Sequence, residues 1–152
     1  MRRPGLNHGR PSLCHGTQVM QSKFILGHAE VTRILAAARA EAQQHNWAVT
    51  IAVVDDGGHL LALERLDGAA ASTAYIATEK ARTSALGRSE SSKYEKMVNE
   101  GRTSFLSNPV LTCLEGAVPV IVGGQVIGAV GVSGVASQDD VKVARAGVAV
   151  LG

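Results

Sequence analysis

The chain has 152 residues, of which 45% are hydrophobic and 18% charged, and its formal net charge is +2. That length suits one domain with one well-filled core, and the composition excludes a disordered chain. The small charge, with no basic stripe interleaved with aromatics, excludes a nucleic-acid partner as the working expectation.

Residues 1–22 read as a flexible arm, because Pro4, Gly5, Asn7, Gly9, Pro11, Ser12 and Gly16 punctuate them without an apolar period. The domain is expected over 23–152, with a natural beginning near Met20. No apolar run reaches membrane-span length, and none near the start fits a signal peptide. Cys14 and Cys113 form no CxxC or CxxCH spacing. Reduced thiols and a cytoplasmic location are the simpler expectation.

The first helix is predicted from His28 to His45, with Val31, Ile34, Leu35, Ala38 and Ala42 on one face and Asn46 as its stop. Ala48 to Asp55 is a β-branched run and predicts a buried strand. Asp56-Gly57-Gly58 signals a hairpin turn, and His59 to Arg65 returns as the second strand. Ser72 is expected to cap a helix over 73–87 that ends at Gly87, and a shorter helix follows over 91–101. Asn108-Pro109 and Glu115-Gly116 mark 106–116 as loop. Val118 to Val122, Gly123-Gly124 and Gln125 to Val132 make a second hairpin, with Pro119 placing its first strand at an edge. Ser137 begins the last helix, and Asp140, three residues on, resembles the acidic half of a capping box.

The order α-β-β-α-α-β-β-α predicts an α+β fold: a mostly antiparallel sheet of two Gly-Gly hairpins covered by helices. Aromatics are only 3% of the chain, so Ala, Val, Leu, Ile and 17 Gly fill the core. Such a core packs backbones closely and suits subunits that meet over flat apolar faces.

The residues Val53-Val-Asp-Asp-Gly-Gly-His-Leu60, Asp67-Gly-Ala69, Lys80-Ala81, Glu115-Gly116, Val118-Pro119 and Gly128-Ala-Val-Gly-Val-Ser-Gly134 together resemble the GlcG/HbpS family. Gln138-Asp139-Asp140 and Ala144-Arg-Ala-Gly147 extend the likeness, which runs in unbroken order over about 24–152. It implies a profilin-like fold, a homo-oligomer and a small-ligand pocket. Some members bind haem, and others have corrinoid-associated or catabolic-operon roles. This chain has Glu115-Gly116-Ala117 where Glu-Gly-Gly is commoner, and it lacks the secretion segment of some haem-binding members.

Haem binding needs an apolar slot, an axial ligand and cations for the propionates. His28, His45 and His59 are the candidate ligands in the domain, each with a solvated or hydrogen-bonded histidine as the competing reading. His28 and Arg82 are retained as ligand-binding candidates. A second reading is a small catabolic enzyme, an isomerase, tautomerase or hydratase acting on a carboxylated or aromatic metabolite. There Lys80, set among Ala77, Thr78, Ala81 and Ser84, and Glu115, in its loop, would bind an acid and move a proton. A structural Lys–Glu pair is the competing reading. Gly116, Ser133 and Gly134 are candidate backbone contacts, the last two because free N–H groups at a helix start can hold an anion. No metal site is expected, since no HxxxH, HExxH or paired Cys/His spacing occurs. Gly131-Val-Ser-Gly134 lacks the spacing of a nucleophile elbow.

Overall fold

The computed structural model describes residues 20–152. Most of the predicted arm, with Cys14 and the expected start near Met20, therefore lies outside or at the margin of the described residues. The elements are α1 (His28–Gln44), β1 (Thr50–Asp55), β2 (Leu60–Arg65), α2 (Ser72–Gly87), α3 (Ser92–Asn99), β3 (Ala117–Val122), β4 (Gln125–Ser133) and α4 (Ser137–Val148), with 3-10 turns at Thr103–Ser107 and Ala149–Leu151.

The four strands form one antiparallel sheet in the order β2-β1-β4-β3. The α+β expectation and the element order both hold. Period-2 alternation explains why β1 is buried on both faces. Ile51 and Val53 join Val118, Val120, Val130 and Val132 beneath α1 and α4. Ala52 and Val54 turn the other way and meet Ala77, Ala81 and Ala85 of α2, with Ala129. The sheet is thus a middle layer, with branched aliphatics on one face and alanines on the other.

The alanine face lets α2 lie close to the sheet. A Cβ at Gly131 would stand 2.2 Å from the Ala77 carbonyl oxygen and 2.6 Å from the Ala81 nitrogen. Glycine is required there by backbone approach, as the low aromatic content suggested.

Pro119 pairs with Ala129 on edge strand β3, where its missing N–H faces no further strand. Asn46 takes a left-handed backbone, φ 56°, just past α1. Opposite Thr50 stands Ser133, and opposite Asp55 stands Gly128. This register puts both hairpin turns at one end of the sheet, and Ser133 with the start of α4 at the other.

Local capping departs from the sequence reading in three places. Ser72 makes no side-chain cap bond; Ala71 is already helical, so Ser72 lies within the first turn. Gly87 is the last helical residue, and Arg88 takes the left-handed cap position (φ 51°, ψ 37°). Gly87 is glycine for another reason: a Cβ would fall 2.1 Å from the Tyr94 hydroxyl. At α4 the N-cap is Ala136, without a side-chain cap bond, and the Ser137 box does not form. Asp140 reaches back further, and its Oδ1 accepts the Val135 N–H at 3.1 Å.

Candidate functional site

Lys80 stands in the middle of α2 with 4% of its surface exposed. Its Nζ donates to Asp140 Oδ2 at 3.0 Å and to the Val132 carbonyl at 3.1 Å. Asp140 is 1% exposed. A buried charge is tolerable only when paired and hydrogen-bonded, and here each partner has the other plus a backbone group. Burial pushes the Asp140 carboxyl above the usual aspartate range, and the hydrogen bond and charge of Lys80 pull it back only in part. The pair ties α2, β4 and α4 together.

Gly116 closes over this pair with φ +136°. A Cβ there would stand 2.6 Å from Lys80 Nζ and 2.7 Å from the Val132 carbonyl oxygen. The Glu-Gly sequence is thus a point of close approach. Ser133 is buried, and a Cβ at Gly134 (φ +150°) would stand 2.4 Å from the Ala48 carbonyl oxygen. The anion seat expected at the α4 N-terminus is taken by the protein's own Asp140 carboxylate.

Glu115 is placed elsewhere. Its backbone N–H donates to Glu95 Oε2 at 2.5 Å, and its side chain lines a shallow groove on α3 with Lys93, Lys96 and Glu100. Among the described residues Lys80 makes its ion pair with Asp140, so the Lys80–Glu115 proton-transfer pair is not assembled. Among the described residues, Lys80 lines none of the five clefts described for the surface. The sequence signal for Asp140 was its spacing: Asp140, Ala144 and Gly147 are buried on one face of α4, where Asp140 was read as a cap alone.

Of the remaining candidates, His28, Arg82 and His59 lie towards the hairpin-turn end, and His45 lies at the other end, just before β1. His28 opens α1 and is exposed. The Arg82 guanidinium pairs with Glu79 at 2.9 Å, and its stem runs over the Gly58 turn. His59 is largely exposed and its Nδ1 lies 3.1 Å from the Asp55 carboxylate. His45 stacks on Trp47. The predicted site residues are therefore split between the two ends of the sheet.

Asp55 also accepts the Gly57 and His59 N–H groups, both at 2.9 Å. Burial by itself raises its carboxyl, but the His59 and Gly57 hydrogen bonds outweigh it, and the net shift is downward. A depressed carboxyl contributes stability above the unfolded value of about 3.9, which is lost as pH falls through the folded value. Asp55→Asn is expected to lower stability in the neutral region and so to flatten the acid limb, the two pH–stability curves converging below about pH 4. Urea midpoints measured across pH check this; an unaltered acid limb contradicts it.

At the same end a cleft of about 610 Å³ opens beside the β3–β4 turn. Lys23, Asp56, Arg88, Ile121, Gln125 and Val126 are among its lining. Gln125 fastens the incoming chain: its Oε1 accepts the Phe24 N–H at 3.3 Å, and its Nε2 donates to the Ser22 carbonyl at 2.9 Å. Lys23 pairs with Asp56 across the mouth. Sequence reasoning missed Lys23, Arg88 and Gln125, because residues this far apart in the chain meet only through the sheet register.

A propionate-bearing ring would find cations at this cleft in Lys23 and Arg88, and apolar walls in Ile121 and Val126. None of its walls is a histidine. Lys23 and Arg88 would hold the carboxylates of such a ring, and none of the residues lining the cleft is a His, Cys or Met that could ligate its iron. Among the described residues no group of three or more His, Cys, Asp and Glu side chains could hold a metal ion.

Comparison with known proteins shows the family. The family model described as haem degrading protein HbpS-like matches residues 26–149. Protein GlcG of Escherichia coli strain K12 is 60% identical over 114 residues, covering 75% of this chain and 85% of GlcG. The crystal structure of a double mutant of Streptomyces reticuli HbpS superposes with a TM-score of 0.79 at 32% identity, covering 96% of this chain and 99% of that one. The Klebsiella pneumoniae protein ORFY, a DUF336 member, gives 0.78 at 30% identity, over 86% and 94%.

Proposed function

We infer that this chain, which belongs to the HbpS-like family, is a small-ligand-binding protein of the GlcG/HbpS type that takes haem or a related tetrapyrrole. The observation that carries the reading is the match to the haem degrading protein HbpS-like family over residues 26–149, almost the whole described domain. The cleft at the hairpin-turn end supports it, since its volume lies within the range of small-molecule sites and its walls pair apolar surface with two cations. A bound haem would supply its iron's redox chemistry. The residues of this chain would hold its carboxylates and shield one edge of the ring from water.

The same reading takes the protein as a cytoplasmic homo-oligomer. Edge strand β2 supports this: Leu60, Leu61 and Leu63 are 50%, 42% and 38% exposed, and Leu63 stands opposite Ala52, on the face that α2 leaves partly uncovered. An apolar edge strand is an aggregation hazard unless something covers it, and a second copy would do so. No helix among the described residues is long and apolar enough to cross a membrane.

Hemin titration tests the ligand. A saturable shift of the Soret band is expected, with native mass spectrometry giving whole-number hemin stoichiometry on an oligomer. A linear, unsaturable absorbance rise with no retained hemin would contradict the reading.

A further inference from the structure

Arg88 occupies a backbone conformation that favours glycine, φ 51° and ψ 37°, at the end of α2. A left-handed non-glycine residue costs about 1–2 kcal/mol. The residue before it is a glycine, but Tyr94 packing requires that glycine inside the helix. The chain thus bears the cost of a charged side chain at the cap. Among the described residues Arg88 makes no ion pair. Its side chain is exposed and lines the cleft of about 610 Å³.

The other walls define what that guanidinium can receive. Lys23 brings a second cation, partly neutralised by Asp56, so these three side chains carry a net charge of +1. Ile121, 52% exposed, and Val126 offer apolar surface beside the charge. Gln125 has both ends of its amide committed to the segment 22–24, which fixes one wall. A guanidinium presents a planar fork that matches a carboxylate bidentately.

We propose that the cleft at the hairpin-turn end is a carboxylate-binding site, with Arg88 as the recognising side chain, Lys23 as the second cation, and Ile121 and Val126 against the apolar part of the ligand. The proposal rests on the small-ligand reading above and names the group of the ligand that is read. The carboxylate belongs either to a small aliphatic acid or to a tetrapyrrole propionate, and the two arms of the test separate them.

The first arm titrates the full chain with butyrate and, in parallel, with its neutral isostere butyramide, following backbone amide resonances. Saturable shifts centred on Arg88, Gly124 and Gln125 with butyrate alone identify a small acid. The second arm titrates hemin into the wild type and into Arg88→Gly. At least a tenfold loss of hemin affinity in the variant identifies a propionate, that being the expected effect of removing one charge-assisted recognition. Arg88→Gly suits the site because glycine fits the left-handed cap, so its melting temperature is expected to equal or exceed that of the wild type. A folded Arg88→Gly protein with undiminished hemin binding, together with no butyrate response in the wild type, overturns the proposal. A hemin shift in the wild type would then still stand for the family reading.

Discussion

Lys80→Met is expected to destabilise the protein by about 3–5 kcal/mol, because it strands a buried carboxylate. Asp140 is 1% exposed and would keep only the Val135 N–H. Replacing both members, as Lys80→Met with Asp140→Leu, is expected to recover most of that loss, since an apolar pair of similar volume has no charge to desolvate. Urea unfolding of the two single variants and the double variant forms a cycle that reads the coupling directly. The pH dependence has a fixed sign. The carboxyl of Asp140 lies above its unfolded value, so its contribution to stability is full below about pH 3.9 and declines as pH rises through the folded value. Without Lys80 the carboxyl rises further, and the penalty of Lys80→Met therefore shrinks on acidification. A penalty under about 1 kcal/mol at neutral pH, the range of an exposed pair, would show that the pair is not buried in solution.

Gly131→Ala is the second large effect. The added methyl would meet the Ala77 carbonyl at 2.2 Å and the Ala81 nitrogen at 2.6 Å, and both are helix backbone. Neither can rotate away, so α2 must lift from the sheet. Overpacking of this kind costs about 1–3 kcal/mol, and more where backbone must move. The lift also opens the alanine contacts of Ala77 and Ala81 with Ala52 and Ala129. Thermal unfolding should show a drop of several degrees. A compensating shaving of the helix cannot rescue it, because the clash is with backbone atoms. An unchanged melting temperature would mean that α2 sits further from β4 than described.

These two variants mark what the sequence made legible. Close helix–sheet packing followed from the plentiful Gly and Ala and the scarcity of aromatics. Both hairpins followed from their Gly-Gly turns, and the edge position of β3 from Pro119. Burial of Lys80 followed from its small neighbours. Its partner did not. Glu115 and Asp140 are both far from Lys80 in the chain, and only the register of β4 against β1 decides which acid arrives. Asp140 looked like a helix-capping residue because it is one in part: one carboxylate oxygen serves Val135 and the other serves Lys80. The cleft at the turn end was illegible for the same reason. Lys23, Arg88 and Gln125 come from three segments, and nothing local to any of them signals the meeting. Arg88 follows a glycine that reads as the helix cap, so its own left-handed cap position is hidden in the sequence.

On the proposed function, the small ligand binds away from Lys80, whose ion pair with Asp140 holds α2 and α4 to the sheet. Parallel hemin titrations of the wild type and of the Lys80→Met/Asp140→Leu double variant, read in the Soret band, test that most directly. The same saturable shift at the same midpoint is predicted for both. Loss of binding in the folded double variant, or no saturable shift in the wild type, would contradict it.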